Sequence, residues 1–312
     1  MKLMIKVMIL AGGTSDERAV SLRSGAAVAK ALAQAENEFH VTVLDPADGL
    51  DNLLPELKKA DVVFPALHGA GGEDGMLQKL LEGHGIKYVG SDCPASALCF
   101  DKARYTELLA KHSVLVPATR LVSCDEFQMS PLREKPFVLK PNDGGSSIDT
   151  FVIRDPEKVD TAAIKTAFKQ HKRMLLQELI EGVEITIAII PGDGGDMALP
   201  VIEIIPPAGA EFDYENKYNG QTQELCPPKH ASEEVQKKAR ALALHVHELA
   251  NCRDLSRTDM IVSKNDTLYV LETNTIPGLT EESLVPKAAA QVGITMPKLC
   301  EKLVKAALHD NT

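Results

Sequence analysis

The chain has no Cys-x-x-Cys pair, no apolar run long enough to span a bilayer, and no excess of positive charge. Each absence removes a class of protein. The six cysteines, Cys93, Cys99, Cys124, Cys226, Cys252 and Cys300, are scattered at spacings that match no common zinc module. Scattered thiols in a chain of 312 residues fit a reducing compartment better than a disulfide scaffold. Without a spanning run no membrane partner is expected, and a cytoplasmic location is. The formal net charge of −10 argues against nucleic acid as a partner, because no global positive field would attract phosphodiester. Phosphate on a small molecule is not excluded, since a few lysines and backbone N–H groups can hold it within an acidic protein. G-x-G-x-x-G and G-x-x-x-x-G-K-[ST] are also missing, which argues against dinucleotide and Walker-type sites. Residues 3–10 read as a first strand rather than a leader, because Lys6 interrupts their apolar run.

What is present is ordinary in bulk: 44% hydrophobic and 25% charged residues, at a length sufficient for two or three domains. Apolar runs at 3–10, 39–44 and 61–67 read as strands, and 17–34, 52–59 and 74–84 as helices, so the first third predicts a parallel α/β sheet. Ser-Asp-Cys-Pro-Ala-Ser (91–96) reads as a boundary, with a helix over 97–112 after it. Strands are expected at 137–140, 150–153 and 174–178, and a helix near 156–170. Two long apolar runs, 183–191 and 198–205, flank a hairpin signal at 192–195. Residues 206–230 show no apolar period and predict a long functional loop. A helix over 232–250, a hairpin over 257–273 and a helix near 295–308 follow.

Within that hairpin, Glu272 and Asn274 stand two apart and share a strand face. A two-residue turn at Asn265-Asp266 would put Asp259 opposite Glu272; an odd-length loop would shift the register by one. Facing carboxylates repel unless compensated, and a hard cation such as Mg²⁺ suits two carboxylates and an amide. An exposed acidic face is the plainer alternative.

Four other segments carry chemistry. Ala-Gly-Gly-Thr-Ser-Asp-Glu-Arg (11–18) joins a strand to a helix, where Asp16 and Glu17 either complement the helix dipole or meet a ligand. His-Gly-Ala-Gly-Gly-Glu-Asp-Gly (68–75) follows the third strand, at the sheet edge where α/β proteins bind ligands. Lys-Pro-Asn-Asp-Gly-Gly-Ser-Ser (140–147) offers Ser146 and Ser147 beside N–H groups able to cover phosphates, with Lys140 either a phosphate contact or a strand end. Glu-Leu-Ile-Glu-Gly-Val-Glu (178–184) is either a charged turn or a strip of backbone for an adenine edge, with Glu184 for ribose.

Taken in order, 12–25, 68–78, 88–91, Ser-Ala-Leu-Cys-Phe-Asp-Lys (96–102), 140–147, Tyr-Glu-Asn-Lys-Tyr (214–218), Cys226-Pro227, Arg-Thr-Asp (257–259), Glu-Thr-Asn-Thr-Ile-Pro-Gly-Leu-Thr (272–280) and Ser-Leu-Val-Pro (283–286) resemble the D-alanine–D-alanine ligases of the ATP-grasp superfamily. The resemblance implies a three-domain α/β architecture: an N-terminal parallel-sheet, Rossmann-like domain (1–92), and central (93–183) and C-terminal (184–312) α+β domains enclosing ATP. It implies that Lys102 and Lys140 contact phosphates, and that Gln177, Glu178, Leu179, Ile180 and Glu184 surround adenine and ribose. It places two Mg²⁺ ions, with Mn²⁺ able to substitute, on Asp259, Glu272 and Asn274. Glu17 would take the first D-alanine's amino group, with His68 near its carboxylate. Lys217, Ser283 and Leu284 would receive the second D-alanine. Tyr218, Ser146 and Glu17 would form a trio closing the 206–230 lid, and a homodimer is suggested.

The implied chemistry activates one carboxylate as an acyl phosphate, which the second amine attacks. Arg257 and the Gly278 N–H would stabilise the oxyanion, and the lid would exclude water. The chain departs from the family at Asp149, where Gly usually follows Gly-Ser-Ser-Val/Ile, at Gln177, where Glu is common, and at Lys79. Two other readings stay open: an ATP-grasp ligase with a different second substrate, and a nucleotide-binding protein without turnover. A mere binder has no need of an oxyanion-stabilising arginine.

Overall fold

The computed structural model describes residues 4–35, 38–144, 149–207 and 221–309. Ser146, Ser147, Lys217 and Tyr218 lie outside the described residues, as does 208–220 of the expected lid.

The first third forms β1 (Ile5–Leu10), α1 (Arg18–Ala33), β2 (Phe39–Leu44), the short α2 (Leu54–Leu57), β3 (Val62–Pro65) and α3 (Met76–Gly83). β1 lies between β2 and β3 and pairs with both in parallel, as the alternating pattern predicts. β3 is buried along its whole length, which explains its unbroken apolar run.

Residues 91–96 lead into a helix. Asp92 caps α4 (Cys93–Phe100) by accepting the Ala95 N–H, with Pro94 in the first turn. Asp101 ends that helix and caps α5 (Lys102–Lys111). Polar residues with a proline are helix-start chemistry as much as loop chemistry, so the expected single helix over 97–112 is two.

A four-stranded antiparallel sheet follows, made from β4 (Thr119–Val122), β5 (Phe137–Pro141), β6 (Phe151–Ile153) and β7 (Met174–Glu178), in the order β4-β7-β5-β6. α6 (Cys124–Met129) and α7 (Thr161–Gln170) belong to the same region, and Phe127, Ile164 and Phe168 join Phe137 and Leu139 in its core.

The third sheet is built on β8 (Gly182–Gly192). The expected strand over 198–205 is two strands on one edge of β8, β9 (Gly195–Ala198) and β10 (Ile202–Ile205). Pro200, with no N–H to give the ladder, lies in the break. β11 (Gln223–Leu225) pairs with β10. α8 (Glu233–Leu249) packs Val235, Ala239, Ala243 and Val246 under β8 and the hairpin of β12 (Ser256–Ser263) and β13 (Leu268–Asn274). α9 (Leu284–Ala290) and α10 (Met296–His309) return to the first sheet, where Leu299, Leu303 and Val304 share one core with Val7, Ile9 and Phe64. No helix among the described residues is long and apolar enough to cross a membrane.

Candidate active site

The β12–β13 hairpin pairs Asp259 with Glu272 and Arg257 with Asn274. The route to that register differs from the expected one. The connection is three residues long, Lys264 to Asp266, with Asp266 left-handed at φ 57° and its N–H bonded to the Ser263 carbonyl. Met260 therefore faces Val270, one residue out of the expected register, and a bulge at Leu271 restores it at Asp259. Buried Val270 and Thr273, three apart on one strand, record the bulge.

Arg257 and Asp259, two apart on one strand, share a face and form a bidentate pair at 2.9 and 2.7 Å. The Thr186 hydroxyl on β8, directly opposite in the ladder, donates to the same carboxylate at 2.5 Å. Burial disfavours the Arg257 charge, but Asp259, Glu272 and Glu73 outweigh it and hold the guanidinium above its ordinary pKa. The Asn274 side-chain carbonyl accepts the Ile276 N–H at 2.9 Å. Among the described residues no group of three or more His, Cys, Asp or Glu side chains is arranged to hold a metal ion. The donor set here is two carboxylates and an amide. Asp259 Oδ1 is filled by Arg257 and Thr186, but Asp259 Oδ2 and the Asn274 carbonyl each accept one bond and retain a second lone pair, so the chemistry still fits a hard cation.

Two lysines meet the hairpin. Lys102 Nζ lies 3.7 Å and Lys140 Nζ 4.0 Å from Glu272 Oε2. The first turn of α5 is welded to the segment after β5. Asn142 gives its carbonyl to the Lys102 N–H and its side-chain oxygen to Ala103, and its amide donates to Asp101. Lys102 Nζ also donates to the Gly144 carbonyl at 2.6 Å, so two cations flank one carboxylate at the mouth of the 140–147 segment.

The remaining site residues gather on the first sheet. Glu17 is the N-cap position of α1, yet its side chain makes no cap; it is buried beside Gly69. Gly69 has φ +74°, and a Cβ there would meet Glu17 Oε2 at 2.9 Å, so only glycine serves. His68 donates from Nδ1 to the Ile276 carbonyl at 2.9 Å, which leaves Nε2 to accept from Ser24 Oγ at 3.0 Å. Burial pushes this imidazole below its usual pKa against the pull of Glu17, so the ring is neutral at pH 7. His68 thus ties the loop after β3 to the segment after β13. Gly278 lies so close to Ser283 that an added Cβ would meet Ser283 Oγ at 2.9 Å.

One cavity of about 1000 Å³ collects much of this. Glu17, His68, Arg257, Gly278, Ser283 and Leu284 line it, as do Lys102, Glu272 and Asn274. Lys140 and Asp259 are joined to it through Glu272 and Arg257. Gln177, Glu178, Leu179, Ile180 and Glu184 do not line it: Gln177 and Glu178 end β7 in the second sheet, Leu179 and Ile180 follow it, and Glu184 lies on β8 in the third. The buried Gln177 gives its amide nitrogen to Thr119 Oγ1 at 2.9 Å, which turns its carbonyl into the group able to accept a bond from a ligand.

Sequence reasoning placed Glu73 in the 68–75 loop without a role of its own, and missed Thr186 and Ser24. Glu73 lines the cavity, and burial next to Glu17 pushes its carboxyl up to about 8, even though Gly69 N–H, Lys102 and Arg257 pull the other way. Thr186 left a legible trace as the lone hydroxyl in the run Ile185–Ile190. Ser24 left none beyond its place on α1.

Comparison with known proteins identifies the family. The family described as "D-ala D-ala ligase C-terminus" matches residues 123–305, and "D-ala D-ala ligase N-terminus" matches 45–91. The D-alanine–D-alanine ligase of Syntrophobacter fumaroxidans is 40% identical over 98% of each chain. That of Zymomonas mobilis is 39% identical, over 98% of this chain and 95% of the relative. Among solved structures, the Bacillus anthracis D-alanine–D-alanine ligase complexed with ATP superposes with a TM-score of 0.80 at 27% identity, over 97% of each chain. The VanG D-Ala:D-Ser ligase of Enterococcus faecalis gives 0.82 at 28% identity, over 97% of this chain and 99% of that one. The chain belongs to the D-alanine–D-alanine ligase family.

Proposed function

We propose that this enzyme joins two D-alanine molecules into D-alanyl-D-alanine at the expense of ATP, through an acyl phosphate, for peptidoglycan precursor synthesis. The observation that carries the reading is the shared cavity, with Lys102, Glu272 and Asn274 in the same wall system as Glu17, His68, Arg257 and Gly278. A triphosphate at the first group and a carboxylate at the second would stand in reach of each other.

Lys102 and Lys140 receive the charge of the transferring phosphoryl group, and their closeness to Glu272 pre-sets them. Glu17 holds the first amino group, and His68, neutral and fixed at both nitrogens, keeps the loop beside it in place. Arg257, oriented by Asp259, and the Gly278 N–H receive the developing oxyanion. Ser283, Leu284 and Lys217 take the second carboxylate, and Tyr218 with Ser146 and Glu17 closes the lid. Residues 177–180 and Glu184 hold adenine and ribose, and Ser147 joins Ser146 over the phosphates. Asp259, Glu272 and Asn274 hold two Mg²⁺ ions, which Mn²⁺ can replace; when bound these supply charge neutralisation for phosphoryl transfer. The protein works in the cytoplasm as a homodimer, in domains 1–92, 93–183 and 184–312.

Phosphate release from ATP and Mg²⁺ tests this, with D-alanine, L-alanine, D-serine and D-lactate supplied in turn, each alone and with D-alanine. Release with D-alanine alone is expected, with no gain from the others. A second product formed with D-lactate or D-serine in preference to D-alanine would overturn the substrate assignment, and silence with every substrate would overturn ligation. In the same assay Glu272→Gln should remain folded and lose about tenfold or more in turnover at limiting Mg²⁺.

A further inference from the structure

Behind the active face of the hairpin runs a chain of three hydroxyls. Tyr105 Oη lies 2.5 Å from Thr273 Oγ1, which lies 2.9 Å from Thr258 Oγ1. All three side chains are buried, Thr258 completely. Thr273 stands between Glu272 and Asn274, and Thr258 between Arg257 and Asp259, so strand alternation puts the hydroxyls on the face opposite the charged groups.

Tyr105 follows Lys102 by one turn of α5 and shares its side of the helix. It sits among Leu109, Ile185, Val246 and Val270. A phenylalanine would fill that apolar space equally well, and a buried hydroxyl is unfavourable unless bonded, so packing does not account for the tyrosine. Apolar packing also tolerates a helix sliding by a fraction of a turn, whereas a hydrogen bond fixes it in direction and distance. Burial holds the Tyr105 phenol well above its usual pKa, so it stays a protonated partner.

We propose that Tyr105 is a positioning residue: through Thr273 and Thr258 it pins α5 to the hairpin and sets the height of Lys102 over Glu272, where the metal-bound triphosphate sits. The inference rests on the roles given above to Lys102 and Glu272. It requires that losing the hydroxyl weaken nucleotide binding selectively. The amino-acid end of the cavity is held by different ties, from His68 to Ser24 and Ile276.

The test uses the full chain and three substitutions, Tyr105→Phe, Thr273→Val and Thr273→Ser. Two quantities are read: KM for ATP against KM for D-alanine, and direct binding of β,γ-imido-ATP with Mg²⁺ by calorimetry. Tyr105→Phe and Thr273→Val should each weaken both nucleotide measures by roughly five- to tenfold, the effect of one ordinary hydrogen bond, with KM for D-alanine little changed. Thr273→Ser, which keeps the hydroxyl, should behave as wild type. The double variant Tyr105→Phe/Thr273→Val should be no worse than either single one, because both break the same chain. A lowered Tm with unchanged nucleotide binding would overturn the proposal, as would equal losses for both substrates. If wild type binds the analogue but releases no phosphate with any substrate, ligation fails while the binding arm still decides the role of Tyr105.

Discussion

A carboxyl group walled in beside another carboxylate keeps its proton, and Glu73 is that group in this molecule. Its folded pKa of about 8 stands above the ordinary 4.5, chiefly because burial disfavours the anion. Across that window the folded chain holds a proton that the unfolded chain has released, so stability falls as pH rises through it. The contribution is present in full below about 4.5 and is lost by about 8. Glu73→Gln is neutral at every pH and should flatten the fall. Tm measured from pH 4.5 to pH 8 should decline less in the variant than in wild type, and parallel curves would refute the assignment. His68 behaves in the opposite sense for a base: burial strips its proton, and its two fixed nitrogens make it a structural tie rather than a cation.

Between elements, the β5–β6 connection holds the departure at position 149. Asp149 adopts φ 51°, a left-handed conformation for which glycine is suited, and its carboxylate meets His171 Nε2 at 2.8 Å, just past α7. The acid that follows the expected phosphate loop thus has a partner on the second sheet's helix. Asp149→Ala loses the tie and retains the backbone strain, whereas Asp149→Gly loses the tie and relieves the strain. The alanine variant should therefore be less stable than the glycine variant by about 1 kcal/mol, read from urea midpoints. Elements of this kind divide what sequence can reveal from what it cannot. Long apolar runs declared β1, β3, β7 and β8 because burial on both faces leaves little choice of residue. The facing of Asp259 and Glu272 was also legible, although through two offsetting shifts, a three-residue turn and the Leu271 bulge. Short β4 and α6 passed unseen, since neither is long enough to show a period. The tie between Tyr105 and Thr273 joins residues 168 apart in sequence and has no local signature.

At the scale of the whole molecule, the first sheet and α10 form one core although the sequence places them at opposite ends. Leu303 is fully buried in that core. Leu303→Ala should destabilise the protein by about 2–5 kcal/mol. Native-state hydrogen exchange should show protection falling in β1 together with α10, and a loss confined to α10 would mean that the two are not one cooperative unit. Within a chain of net charge −10, Lys102, Lys140 and Arg257 are drawn inward, to and beside the cavity.

That shared core has a bearing on how the protein is made. A ribosome delivers β1 and β3 long before the fourteen residues of α10. Until those residues emerge, Val7, Ile9 and Phe64 have lost water on one side only, and the nascent sheet waits with an open apolar face. Completion of the first sheet's core is thereby tied to the arrival of α10, so this sheet cannot finish packing on the first third of the chain alone.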